Sequence, residues 1–133
     1  MAEFYDWRDY KYYLVNDPDQ YETPNADLWV LQKVLPNGNR ITVLNPYCIE
    51  GTIKDATLIG DNLYVINTTY RSGDNLACLN TRTGKWSNPI PECSQCSFVC
   101  WNTVWVEYAE LIYEGECTAD NRYRCTYTMV DLE

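Results

Sequence analysis

With 133 residues the chain holds one domain or two very small ones, which excludes an enzyme built from separate cofactor and substrate halves. Nineteen acidic against ten basic side chains leave a formal charge of -9, the wrong sign for a surface that must neutralise phosphates, so nucleic acid is not an expected partner. Histidine is absent, which removes the side chain most used for proton transfer and metal ligation, and twelve Tyr and five Trp against two Phe give rings with a polar edge that suit sheets and interfaces.

The chain opens on an aromatic arm. Phe4-Tyr5-Asp6-Trp7-Arg8-Asp9-Tyr10-Lys11-Tyr12-Tyr13 places six rings in ten residues, interleaved with charges. Tyr, Trp and Arg dominate binding hot spots, so Tyr5, Trp7, Tyr10 and Tyr12 are candidate contact residues for another protein, with packing over a sheet as the competing role. Residues 1–20 are charged throughout and lack the apolar stretch of a secretory signal. Residues 16–26, rich in Asn, Asp and Pro, are expected to be a linker.

Beyond the linker, period-two alternation and turn residues dominate the chain. Leu28–Leu35 and Arg40–Leu44 flank Pro36-Asn37-Gly38 and predict a hairpin, because Asn-Gly accepts the positive φ of a tight reversal. Asn62–Asn67 and Asn75–Leu79 predict a second across Arg71-Ser72-Gly73-Asp74. The two align without a gap at an offset of 35, with Leu28/Leu63, Val30/Val65, Gly38/Gly73, Leu44/Leu79 and Asn45/Asn80 identical. Asn67-Thr68-Thr69 is a glycosylation sequon, and residues 87–92 are expected to be a second linker. Val104–Tyr108 is expected to pair, across the Gly115 loop, with a strand in which Tyr123, Cys125, Tyr127 and Met129 alternate with Arg122, Arg124, Thr126 and Thr128, an apolar face and a wet one. Glu107–Tyr113 would also tolerate one or two helical turns. No 18 apolar residues run together, so no membrane-spanning helix is expected. The fold class is all-β, small antiparallel sheets or a sandwich with disulfides and little or no helix. Its segments are 1–47 (arm and hairpin), 48–93 (core) and 94–133 (Cys-rich C-terminal hairpin), in one compact unit.

All seven cysteines, Cys48, Cys78, Cys93, Cys96, Cys100, Cys117 and Cys125, lie beyond residue 47. Disulfides are the favoured reading over a four-thiolate zinc site. Cys93 and Cys96 have metal-ligand spacing, but Cys117 and Cys125 stand eight apart and no histidine can substitute. No metal or cofactor is therefore expected, and the odd thiol is free or crosslinks to another molecule. Cysteine content and the Asn67 sequon together place the expected site of action outside the cell, as a glycosylated protein.

Two resemblances bear on the core. Cys78-Leu-Asn-Thr-Arg-Thr-Gly84-Lys-Trp86-Ser-Asn-Pro-Ile-Pro91-Glu-Cys93 resembles the closing signature of complement-control (sushi) modules, and Gly60-Asp61-Asn62-Leu63-Tyr64-Val65 and Tyr70-Arg71-Ser72-Gly73 are similar to that family's preceding strand and turn. The resemblance spans residues 48–93, about a third of the chain, and lacks the family's second cysteine. It implies a Cys48–Cys78 bond and a core position for Trp86 beside a disulfide. Leu63-Tyr-Val-Ile-Asn67 followed by Thr81-Arg-Thr-Gly-Lys-Trp86 also resembles a kelch blade of a β-propeller.

Catalytic patterns are not singled out. Asp17 and Asp19 lack the glycine and distant glutamate of a calcium loop, Cys93-x-x-Cys96 follows Pro-Ile-Pro-Glu rather than a strand-to-helix junction, and no glycine-rich phosphate loop exists. The expectation is a non-catalytic secreted module that binds another protein or a glycan. The alternatives are a structural subunit of an extracellular assembly and a fragment of a kelch-like propeller.

Overall fold

The computed structural model describes residues 2–5, 11–16, 29–48, 51–69, 73–100, 102–111 and 123–132. Among these the chain is all-β, with no helix. Eleven strands form three antiparallel sheets, each a meander of consecutive strands. The first contains β1 (Ala2–Tyr5), β2 (Lys11–Asn16), β3 (Trp29–Val34) and β4 (Arg40–Thr42); the second, β5 (Gly51–Ile59), β6 (Asn62–Thr69), β7 (Gly73–Asn80) and β8 (Trp86–Cys93). The third contains β9 (Gln95–Cys100), β10 (Thr103–Leu111) and β11 (Tyr123–Asp131), with β10 central.

The predicted hairpins form where the turn chemistry puts them. Between β3 and β4, Gly38 has φ 85° and donates to the Leu35 carbonyl, while the Asn39 amide donates to Asn37 Oδ1. Gly73 opens β7 with φ 81°. Residues 87–92 are a strand rather than a linker. As part of β8 they form the edge of the second sheet, where Pro89 and Pro91 need donate nothing outward, and Ile90 and Cys93 fill the core. Glu107–Leu111 continues β10 and takes no helical turn, held by pairing with Tyr123–Tyr127.

The sheets stack face to face in chain order, each offering one face forward and one back. Tyr12, Leu14 and Leu31 of the first sheet pack on Ile53, Leu63, Val65 and Leu79 of the second. From the other face of the second sheet, Tyr64, Ile66, Leu76, Cys78 and Ile90 pack on Cys96, Val104 and Val106 of the third. The middle sheet is thus buried on both sides, which is why Leu63–Asn67 is a continuous buried run rather than an alternation. Each fully buried aliphatic side chain contributes about 1.5–3 kcal/mol. The Tyr64 hydroxyl crosses the second interface to donate to the Leu132 carbonyl at 2.8 Å.

This stacking exposes a third copy of a short motif. The sequence triplets Leu28-Trp29-Val30, Leu63-Tyr64-Val65 and Val104-Trp105-Val106 correspond; Trp29-Val30 opens β3 and the other two fall at the starts of β6 and β10, while Leu28 lies outside the described residues. In β6 and β10 the two aliphatic residues face the preceding sheet, and Tyr64 faces the next.

Candidate interaction face

With Val104 and Val106 turned toward the second sheet, alternation sends Trp105 and Glu107 to the other side of β10. The register sets Trp105 opposite Met129, Glu107 opposite Tyr127 and Ala109 opposite Cys125. Cys125, Tyr127 and Met129 therefore share the outer face, where Tyr127 is 60% and Met129 58% exposed. Trp105 and Tyr127, diagonal neighbours, stack with centroids 5.4 Å apart at 22°. Glu107 accepts from Gln95 Nε2 at 2.6 Å, and Thr103 donates to Asp131 at 3.4 Å, so acidic groups border the rings. Negative charge on the Cys125 sulfur, and then the Glu107 carboxylate, push the Tyr127 hydroxyl above its ordinary pKa. An exposed tyrosine stacked on a half-buried tryptophan, with an exposed thioether beside them, is a surface suited to apolar contact.

A second notable cluster lies inside. Asp74 is buried at the junction of the second and third sheets, where its carboxylate accepts from the Lys54 ammonium at 3.2 Å and the Cys96 amide at 3.0 Å. Lys54 also donates to the Cys96 carbonyl at 3.0 Å, and the Cys93 thiol donates to the Asp74 carbonyl at 3.4 Å. Burial pushes the Cys93 and Cys96 thiols upward. A buried thiol that resists ionisation is a poor nucleophile, so this group braces two sheets and has none of the activation that redox chemistry requires.

A cleft of about 380 Å³ opens between the first two sheets, lined by Tyr12, Val43 and Trp86 with Lys33 and Arg82 at its polar side. Lys33 lies over the Tyr12 ring at 5.4 Å and Arg82 pairs with Asp61 at 2.8 Å, so both cations serve the fold.

Of the aromatic arm, Tyr12 is buried between the first two sheets and takes the packing role. Tyr5 lies on β1 opposite Lys11, while Trp7 and Tyr10 fall outside the described residues. The disulfide framework requires correction. Cys48, Cys78, Cys93, Cys96, Cys100 and Cys125 are all free thiols, and Cys117 falls outside the described residues. A Cys48–Cys78 bond fails on position. Asn75 donates to the Tyr47 carbonyl, and Asn75 is three residues along β7 from Cys78 and on the opposite face. Trp86 is half-buried against the first interface, whereas Cys78 belongs to the second, so the ring does not sit beside that sulfur. Asn67 is likewise corrected as a glycan acceptor. It is 0% exposed, its Oδ1 accepts from Asn45 at 2.9 Å and its Nδ2 donates to Asn75 at 2.7 Å.

Comparison with protein-family models, curated proteins and solved structures finds no match to the chain. Trp105, Tyr127 and Met129 were not among the residues that sequence reasoning selected. The third copy of the aliphatic-aromatic-Val motif is the signal that finds them, because aligning Val104 and Val106 with Leu63 and Val65 turns Trp105 outward.

Proposed function

We propose that the chain is a non-catalytic interaction module whose three sheets are successive blades of a kelch-like β-propeller, and that it engages a protein through the outer face of its third sheet. The observation that carries this reading is the repeated pairing of faces. Sheet one packs forward on sheet two and sheet two on sheet three, while the forward face of sheet three presents Tyr127 and Met129 to solvent beside a half-buried Trp105. Antiparallel meanders stacked in sequence are the construction of propeller blades, of which the first two sheets have the usual four strands and the third, among the described residues, has three. The reading requires no disulfide framework, since both interfaces are apolar and the second is cross-braced by Tyr64 and Lys54.

The test is a photo-crosslinking amino acid at Met129, compared with one at Glu92, an exposed residue on the edge of the second sheet. Macromolecular adducts concentrated at position 129 and lost on Trp105→Ser support the proposal. Equal or absent adducts at both positions overturn it.

A further inference from the structure

We infer that the protein partner docks on the outer face of the third sheet through an arginine, its guanidinium stacked on the Tyr127 ring and bonded to the Glu107 carboxylate, with apolar residues beside it on Met129; this rests on the reading of that face as the interaction surface. The two receiving groups are neighbours by register. Glu107 lies directly opposite Tyr127 in the β10–β11 ladder, where Cβ atoms stand about 4.5–5.5 Å apart, so a planar cation over the ring also reaches the carboxylate. Trp105 stacks on Tyr127, and the tyrosine is still 60% exposed. Gln95 donates to Oε2 of Glu107, and among the described residues Oε1 accepts no hydrogen bond.

Two observations favour a cation as the group received. The first is a precedent in the same chain. Tyr12 lies directly opposite Lys33 in the β2–β3 ladder, with the ammonium over its ring at 5.4 Å, and the Arg40 guanidinium lies 4.6 Å from the centroid of Tyr13. In the first sheet a neighbouring strand thus supplies a cation to each of these rings, whereas in the third sheet the position opposite Tyr127 holds a carboxylate. A ring and a carboxylate side by side receive a cation from another molecule. The second is charge. Among the described residues that alternation places on this face, the charged ones are Glu107 and Asp131, both acidic, while Arg124 falls on the other face of β11. The chain's net charge of -9 draws a basic partner toward it. Guanidinium fits the pair better than ammonium, because its plane stacks on an aromatic face while its edge donates to a carboxylate. Met129, a flexible thioether, adapts to aliphatic residues that flank such an arginine.

The probes are pools of short labelled peptides with a central arginine in flanks of mixed aliphatic and polar residues, and matched pools with citrulline or lysine at the centre. Fluorescence anisotropy with the full chain should show the arginine pool binding more tightly than the lysine pool and about tenfold or more tighter than the citrulline pool, a contrast that needs no variant. Rising salt should weaken the arginine pool and leave the citrulline pool unmoved. Glu107→Gln keeps an acceptor for Gln95 and should cost the arginine pool about tenfold with no change in the citrulline pool. Glu92→Gln removes the same charge from the exposed edge of the second sheet and should change neither. An arginine pool that binds no tighter than the citrulline or lysine pool, or that responds to Glu92→Gln as much as to Glu107→Gln, overturns the inference. The interaction role is read separately. If the crosslinker at Met129 gives adducts that Trp105→Ser removes and Glu107→Gln does not, the face binds a partner and the arginine assignment fails. Absence of both an arginine preference and specific adducts removes both.

Discussion

Gly73 and Gly38 separate backbone strain from crowding, because both have nearly the same φ, 81° and 85°, in otherwise different surroundings. Alanine at Gly38 meets nothing within 4 Å, so its cost is the left-handed backbone alone, about 1–2 kcal/mol. Alanine at Gly73 carries the same strain and drives its Cβ into the Cys93 carbonyl oxygen, with the Ser94 carbonyl oxygen at 3.0 Å. Both oxygens belong to backbone that cannot swing aside as a side chain would. Cys93 and Ser94 join the second sheet to the third, and Cys93 pairs with Asp74, the residue after Gly73. Relief therefore requires moving a strand junction, which adds about 1–3 kcal/mol by analogy with overpacked cores. Gly73→Ala should cost about 2–5 kcal/mol in total, a large part of the stability of a small domain. Urea unfolding of the two variants and the parent, followed by tryptophan fluorescence, measures the difference. Equal losses for Gly38→Ala and Gly73→Ala, within about 0.5 kcal/mol, would refute the close approach on which the sheet junction is built.

Thiol labelling of the native protein should modify Cys100 and Cys125 quickly and Cys78, Cys93 and Cys96 only on unfolding, and Cys100 should react at the lowest pH because the Thr103 hydrogen bond holds its thiol below the ordinary value; mass mapping of the adducts checks the order. Burial raises the folded-state pKa of Cys78, Cys93 and Cys96, so the unfolded chain loses these protons first as pH rises. Their contribution is intact below the unfolded thiol value of about 8.5 and is lost above it, with a slope approaching about 1.4 kcal/mol per pH unit for each thiol; urea titrations across the alkaline range should show this fall, which serine replacements abolish. Asn67→Ala should cost about 1–3 kcal/mol by stranding the Asn45 and Asn75 amides, and equilibrium unfolding measures it.

The hairpins were legible because their turns are chemical statements. Asn37-Gly38 admits positive φ in the right place, and the aliphatic residues on either side alternate in step. The alignment of Leu28–Asn45 with Leu63–Asn80 also exposed a repeated strand pair, which the structure places in the first and second sheets. What misled was β8, because Pro89 and Pro91 look like linker residues until an edge position makes their missing donors harmless. The cysteines misled for a different reason. Spacing along the chain carries no information about which face of a strand a sulfur occupies, and Cys78 lies on the face opposite Asn75, the residue that holds the turn before Cys48. Cys78, Cys93 and Cys96 are instead small buried side chains in an apolar interface.

The interaction face was hidden by the same logic that revealed the strand bearing it. Alternation of Tyr123, Cys125, Tyr127 and Met129 identified β11, and an apolar face ordinarily points to the core. Register decides otherwise. Trp105 opposes Met129 and Val106 opposes Thr128, and since Val106 is buried against the second sheet, the Met129 side must face away from it. On the side of β11 toward the second sheet only Val130 packs on the core while Thr126 and Thr128 are exposed, and on the outer side Tyr127 and Met129 are exposed, so most of the strand's apolar area lies outside the stack. Tyr64 and Ile66 on β6 show the contrasting case, apolar side chains that a following sheet covers. The apolar area that sequence alternation assigned to a core therefore lies on the outer side, where Trp105 and Tyr127 stack, and it is this placement that the proposed interaction role rests on.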